Sequence, residues 1–252
     1  MSKKVLITGA SSGIGRDIAR VFDSYGCELI ITARREDRLK ELAGSLNGSP
    51  RIIAGDICGY EGARELYNMT KDENIDILIN NAGFGVWGEF TKTSLEREIE
   101  MIRLNVETMH TLFKLFTADF KERNSGKILN VASMAGFAPG PYMAAYYASK
   151  AYVLRLTQSV AHELKEEGSA VTVSALCPGP VDTEFNKVAG VHFATPSLSS
   201  EYVAKYAVTE LVKGKTVIVP GTAMKAAAAF SKLTPDSIAA SVTAKIQKNK
   251  GK

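Results

Sequence analysis

Seven short apolar runs alternate with six longer amphipathic stretches, and this alternation restricts the fold more than any other feature of the chain. The runs are Lys4–Thr8, Glu28–Ala33, Arg51–Ala54, Ile75–Asn80, Lys127–Ala132, Ala170–Leu176 and Thr216–Val219. Several, such as Val5-Leu6-Ile7-Thr8 and Ile77-Leu78-Ile79-Asn80, are apolar without period-two alternation, as strands covered on both faces require. Ile14–Tyr25, Glu36–Leu46, Tyr60–Lys71, Leu95–Lys121, Ala144–Glu167 and Ser200–Val212 read as helices. Ser94 caps the fourth of these, with Arg97 and Glu98 in its first turn, and Asn124-Ser125-Gly126 ends it. Such a series winds as right-handed βαβ units, which predicts an α/β doubly wound parallel sheet of seven strands with helices on both faces.

At 252 residues, 45% apolar and 23% charged, the chain has enough apolar material for a core without staples. Cys27, Cys58 and Cys177 lie far apart and make neither a disulfide framework nor a zinc cluster, so no metal is expected. The net charge of +4 is mild and scattered, apart from Lys245, Lys248, Lys250 and Lys252, which excludes a concentrated nucleic-acid face. Val5–Thr8 is too short for the apolar core of a signal peptide. Glycines and prolines interrupt the uncharged run from Ile128 to Ser149, so no membrane span is expected. No interior linker or repeat divides the chain. The expectation is one domain, residues 1–252, soluble and cytoplasmic.

In a Rossmann-type sheet, ligands bind beyond the carboxyl ends of the strands. The first strand runs into Gly9-Ala10-Ser11-Ser12-Gly13-Ile14-Gly15 and then an apolar helix. Gly9 allows the tight turn, Gly13 lets backbone approach a pyrophosphate, and Gly15 lets the helix pack closely, its amides facing the anion. The lysine of a GxxxxGK[ST] loop is missing, which disfavours ATP or GTP hydrolysis. Where an NAD site usually places an acid after the second strand, this chain has Ala33-Arg34-Arg35. Two arginines suit a 2′-phosphate, so NADP(H) is the expected cofactor. The competing reading pairs them with Glu36 and Asp37 on a wet helix start. Asp56 follows the third strand and can serve either an adenine amino group or a turn; Asn81 can brace neighbouring strands.

Ser133 ends the fifth strand, and Tyr146 and Lys150 stand on one face of the next helix. A lysine cation near a phenol favours the phenolate, bringing it toward the range of a general acid/base. Tyr147, three before Lys150, competes for the role by spacing alone.

Together these segments resemble the short-chain dehydrogenases/reductases almost end to end. Thr8–Gly15 resembles the family's TGxxxGIG loop, Asn80-Asn81-Ala82-Gly83 its NNAG and Tyr146-Tyr147-Ala148-Ser149-Lys150 its YxxxK. Ser133 has the usual separation from Tyr146, and Pro178-Gly179 matches the segment beside the nicotinamide. The resemblance selects Tyr146 over Tyr147. It implies a catalytic set of Asn105, Ser133, Tyr146 and Lys150. Tyr146 is the acid/base, Ser133 holds the substrate oxygen, Lys150 lowers the tyrosine pKa, and Asn105 supports a proton-relaying water. It implies cofactor contacts from Gly9, Ser11, Ser12, Gly13, Ile14, Gly15, Arg34, Arg35, Asp56, Ile57, Asn81, Ala82, Gly83, Tyr146, Lys150, Pro178, Gly179, Val181 and Thr183.

By the same resemblance, substrate contacts come from Phe84–Phe90, Met134–Met143 and Glu184–Ser199, the last a short lid at residues 184–199. Met134, Phe137, Tyr142, Met143, Phe84, Trp87, Phe185 and Phe193 favour an apolar or aromatic ketone, or the matching secondary alcohol. Arg103, Lys187 and His192 keep a 3-oxoacyl thioester or hydroxy acid open. Residues 221–252 resemble the DltE-like subgroup. Ala226–Phe230 and the Thr234-Pro235-Asp236 start predict two extra helices, expected to pack over the substrate entrance. Members commonly pair through the two long helices, implying a homodimer or homotetramer. A non-catalytic NADP(H) sensor is the alternative of another class, since a sensor needs the glycine loop but not the proton chain.

Overall fold

The computed structural model describes residues 2–185, 189–190, 197–231 and 233–248. Its strands are β1 (Lys4–Thr8), β2 (Glu28–Ala33), β3 (Arg51–Ala54), β4 (Ile77–Asn80), β5 (Lys127–Val131), β6 (Thr172–Leu176), β7 (Val181–Asp182), β8 (Leu198–Ser199) and β9 (Val217–Ile218). The helices are α1 (Gly13–Ser24), α2 (Glu36–Gly44), α3 (Gly59–Thr70), α4 (Leu95–Ile102), α5 (Met109–Glu122), α6 (Ala144–Glu166), α7 (Ser200–Val212), α8 (Thr222–Ser231) and α9 (Asp236–Lys248). Seven strands form one parallel sheet in the order β3-β2-β1-β4-β5-β6-β9, as the strand–helix alternation predicts. The short β7–β8 pair is a separate two-stranded sheet.

Both faces of the sheet are covered, which explains the unbroken apolar strands. Leu6, Leu78 and Ile128 point to one side, against Leu66, Phe113, Phe116 and Leu154 of α3, α5 and α6. Val5, Ile7 and Ile79 point to the other, against Ile18, Phe22, Leu39 and Val208 of α1, α2 and α7. Strand order reverses at β1, which pairs with β2 on one side and β4 on the other. That switch point opens the crevice in which the site lies.

Two elements differ from expectation. The helix expected over Leu95–Lys121 is divided: residues Arg103–Thr108 form a wider π-type turn between α4 and α5. Its widening brings Asn105 onto the backbone of Phe84, and periodicity does not distinguish that from an unbroken α-helix. The second C-terminal helix begins at Asp236, one residue after Pro235, whose carbonyl accepts from Ile238 and Ala239. The Ser94 cap is as expected, with its hydroxyl accepting from the Arg97 amide at 3.2 Å. Helix α9 is fastened to the body by Thr243 Oγ1 donating to Pro139 O (2.7 Å) and by the Trp87 indole donating to Gln247 O (3.2 Å). Among the described residues, no helix is long and apolar enough to cross a membrane.

Candidate active site

At the end of β1 the chain turns through Gly9 at φ +66°, a conformation that favours glycine, and a Cβ there would lie 2.9 Å from Ala82 Cα. Asn81 makes this turn rigid. Its Nδ2 donates to Thr8 O (3.0 Å) and Gly9 O (3.1 Å), while its own N–H and that of Ala82 donate to Thr8 Oγ1 at 3.0 Å. This is the bracing expected of it. Ser12 occupies the N-cap of α1, yet its hydroxyl does not cap the helix. It accepts instead from Arg35 Nη2 at 3.1 Å, and Ser11 Oγ accepts from the same nitrogen at 3.2 Å.

Neither arginine is consumed by the start of α2, where Glu36 pairs with Lys40 at 2.8 Å. Arg34 reaches Glu100 of α4 (3.3 Å) and Arg35 reaches Glu184 (2.7 Å). The guanidinium beside it holds the Glu184 carboxyl below the ordinary glutamate range. Asp56 Oδ1 accepts from Cys58 N at 3.0 Å, a local turn that leads into α3.

The proton-handling groups sit where β5, β6 and α6 converge. Lys150 is buried and donates to Val131 O at 2.8 Å. Ser133 Oγ accepts from Ala135 N (3.1 Å), and Met134 N donates to Pro178 O (3.0 Å), joining the ends of β5 and β6. The Tyr146 ring centre is 5.8 Å from Lys150 Nζ. Burial dominates both groups: it pushes the Tyr146 phenol up to about 12, offset only in part by the Ser133 hydroxyl. Burial likewise holds the Lys150 ammonium down, to about 8. Loss of solvent dominates the phenol, and the expected lowering by the lysine is not among the influences on it here.

Asn105, 1% exposed, lies behind this wall, its amide fixed to Phe84 N (3.1 Å), Phe84 O (2.9 Å) and Ser149 Oγ (3.2 Å). A Cβ at Gly83 would come within 2.7 Å of Asn105 Oδ1 and 3.5 Å of Lys150 Nζ, so the two side chains flank the same glycine.

A cleft of about 480 Å³ connects these parts. Its walls include Gly9, Ser11, Ser12, Gly13, Ile14, Arg34, Arg35, Asp56, Ile57, Asn81, Ala82, Gly83, Ser133, Tyr146, Lys150, Pro178, Gly179, Val181 and Thr183. Gly15 is not on the wall. It faces backward, where a Cβ would fall 2.3 Å from Asn81 Nδ2 and 2.6 Å from Gly9 O. A dinucleotide suits this donor set: hydroxyls and guanidinium at one end, an uncapped helix start beside the glycine turn, and buried acid/base groups at the other end.

The other end is apolar, with Phe84, Leu104, Met134, Ala135, Met143 and Phe185. Phe185 leans on the Tyr146 ring at 5.4 Å. Three expected contacts fall elsewhere: Phe137 packs into the main core, while Trp87 and Tyr142 stack on each other at 6.4 Å outside the lining. Lys187, His192 and Phe193, and most of the lid at residues 184–199, lie outside the described residues. Some roles emerge only from the structure: Glu184 as the partner of Arg35, Tyr147 and Leu104 as lining residues, and Gln247, which arrives from α9. A Thr-Glu pair after Pro-Gly is the one sequence cue to Glu184; nothing local marks Gln247.

This fold and this cleft define a nicotinamide-dinucleotide-dependent oxidoreductase. Residues 3–191 match the family model described as short chain dehydrogenase. An uncharacterized oxidoreductase of Staphylococcus epidermidis is 35% identical over 184 residues, 72% of this chain and 79% of that one. Among solved structures, a short-chain dehydrogenase from Sphingobium yanoikuyae in complex with NADPH superposes with a TM-score of 0.82 at 30% identity, covering 92% of this chain and 93% of that one. A short chain dehydrogenase/reductase from Burkholderia phymatum in complex with NAD gives 0.82 at 25% identity, covering 90% and 92%. The chain belongs to the short-chain dehydrogenase family.

Proposed function

We propose that the protein is an NADP(H)-dependent oxidoreductase that interconverts a bulky apolar or aromatic ketone and its secondary alcohol. The observation that carries this reading is one cleft with Ser133, Tyr146 and Lys150 at one end and Arg34, Arg35, Ser11 and Ser12 at the other. The bound nicotinamide supplies the hydride donor or acceptor. Arg35, with Ser11 and Ser12, would hold a 2′-phosphate, and Lys150 would hold the nicotinamide ribose.

Ser133 Oγ is held in place by the Ala135 amide, and its hydroxyl, beside the Tyr146 phenol, would orient a substrate carbonyl. Tyr146, kept protonated by burial, donates its proton to that oxygen during reduction and takes it back during oxidation. Lys150, anchored on Val131 O, puts its charge beside the phenol ring and favours the phenolate once formed. Asn105, which shares the Cβ side of Gly83 with Lys150, supports the proton relay to Lys150. The apolar lining by Phe84, Met134, Met143 and Phe185 supports the ketone reading over a small acid. Arg103, which would favour a thioester or hydroxy acid, does not line the cleft.

The test is loss of NADPH absorbance against a panel of bulky ketones, with Tyr146→Phe alongside. Turnover abolished by the substitution is expected. NADPH binding without turnover on any ketone would mark a dinucleotide sensor instead. The reading includes a cytoplasmic homodimer or homotetramer paired through α4–α5 and α6, supported by exposed Leu95, Ile99, Ile102 and Tyr152 and by three free cysteines. A monomeric mass by light scattering at micromolar concentration would contradict that assembly.

A further inference from the structure

Among the described residues, Gln247 is the one side chain beyond the family-matched segment, residues 3–191, that reaches the wall of the reactive end of the cleft. It is 1% exposed, although it stands in the last turn of a helix whose neighbouring Ile246 and Lys248 face outward. Two bonds hold it there. The Trp87 indole donates to its carbonyl at 3.2 Å, and its Nε2 donates to the Tyr147 hydroxyl at 2.6 Å. Tyr147 in turn packs edge-on against Tyr146 at 6.3 Å, so the amide is one ring removed from the acid/base. The remaining atom, Oε1, is buried and has no hydrogen-bond partner among the described residues.

A buried amide oxygen without a partner is costly and is seldom kept unless something else satisfies it. Phe84, Met143 and Phe185, which line the same apolar end of the cleft, carry no donor side chain. Turning the amide over would exchange its ends and leave Nε2 free instead. A hydroxyl, which both donates and accepts, pairs with either end. We propose that Gln247 is a specificity-determining residue that binds a hydroxyl of the substrate remote from the reacting carbon. The substrate class narrows accordingly, to bulky apolar ketones or alcohols that carry a second hydroxyl. This rests on the carbonyl-reductase reading above and deepens it. It also gives α9 a function: the helix delivers one polar contact into an otherwise apolar pocket, and a site of that kind discriminates strongly against a ligand lacking the matching group.

The experiment uses the full chain with NADPH and matched ketone pairs: benzylacetone against its para-hydroxyphenyl analogue, and the same comparison with one methylene fewer and one more. In at least one pair the hydroxylated ketone should have a kcat/KM about tenfold higher, the ratio expected of one buried hydrogen bond. Gln247→Leu should bring that ratio to about one, whatever it does to the parent ketone. Gln247→Glu, which keeps the shape and an acceptor oxygen, should preserve the preference. No preference in any pair with the unsubstituted protein overturns the proposal, as does a Leu variant that lowers both members of a pair equally. If none of the ketones is reduced, the carbonyl-reductase reading fails. Calorimetric titration of the same pairs in the presence of NADP+ then decides Gln247 separately: a hydroxyl preference in binding that the Leu variant loses upholds it, and equal binding overturns it.

Discussion

Arg35 donates to Glu184 at 2.7 Å across the mouth of the cleft, tying the end of β2 to a residue 149 positions further along the chain. The same guanidinium nitrogen reaches Ser11 and Ser12, so a carboxylate shares the donors proposed for the 2′-phosphate. The two side chains are 44% and 43% exposed, and ion pairs of that exposure contribute at most about 1 kcal/mol. Releasing Arg35 from this competitor should tighten NADPH by up to about fivefold. Glu184→Gln is expected to do so in a fluorescence titration while leaving NADH affinity nearly unchanged. Weaker NADPH binding in the variant would show that Glu184 supports the site and does not compete for it.

The arginines themselves should have the opposite effect. A charge-assisted hydrogen bond to a phosphate contributes about 1.5–3 kcal/mol, so Arg35→Ala should raise the KM for NADPH about tenfold to a hundredfold and spare NADH. Arg34→Ala should cost less, because Arg35 reaches the Ser11 and Ser12 hydroxyls of the glycine loop while Arg34 turns to Glu100. Comparing kcat/KM for the two cofactors reads both effects. A protein that prefers NADH and is indifferent to both substitutions would remove the case for NADP(H).

Much of this architecture was legible in the sequence, because the physics involved is local. Strands such as β1 and β4 bury both faces and are apolar at successive positions, and the residues after them fall at the switch point whatever else the chain does. The wider turn at Arg103–Thr108 was not legible, since its apolar spacing suits an α-helix equally well. The pairing of Glu184 and the arrival of Gln247 were hidden for another reason. Their partners, Arg35 and Tyr147, lie 149 and 100 residues away, and no local pattern encodes such a pairing. Spacing shows that Tyr146 and Lys150 are neighbours and says nothing of how much water remains around them, so the pull of burial on both was not legible.

Close packing behind the glycine turn gives a stability prediction. Any Cβ at position 15 would fall 2.3 Å from Asn81 Nδ2 and 2.6 Å from the Gly9 carbonyl, so either the brace or the turn must shift. Overpacking of this kind costs about 1–3 kcal/mol. Gly15→Ala should therefore lower the Tm by roughly 2–12 °C for a chain of this size and weaken dinucleotide binding along with it. Differential scanning calorimetry with and without NADPH measures both. An unchanged Tm would mean that Asn81 moves aside freely and is not the rigid brace its three hydrogen bonds to Thr8 and Gly9 describe.

Burial of Lys150 fixes the sign of a pH effect. In the unfolded chain its ammonium titrates near the ordinary value of about 10.4. In the folded protein, loss of solvent brings it down to about 8. Between those values the unfolded chain binds more protons, so this group makes stability rise with pH across the window and is most unfavourable below it. Lys150→Met deletes the contribution, along with the hydrogen bond to Val131 O. The stability of the unsubstituted protein minus that of the variant, from urea unfolding, should therefore climb from about pH 8 to about pH 10. Tyr146 acts with the opposite sign but higher up: its phenol, raised to about 12, is protonated in both states below about pH 10 and leaves the window clear. A difference that stays flat or falls over that range would mean that Lys150 keeps enough water in solution to titrate normally, and its role in holding charge beside the phenol would have to be rebuilt.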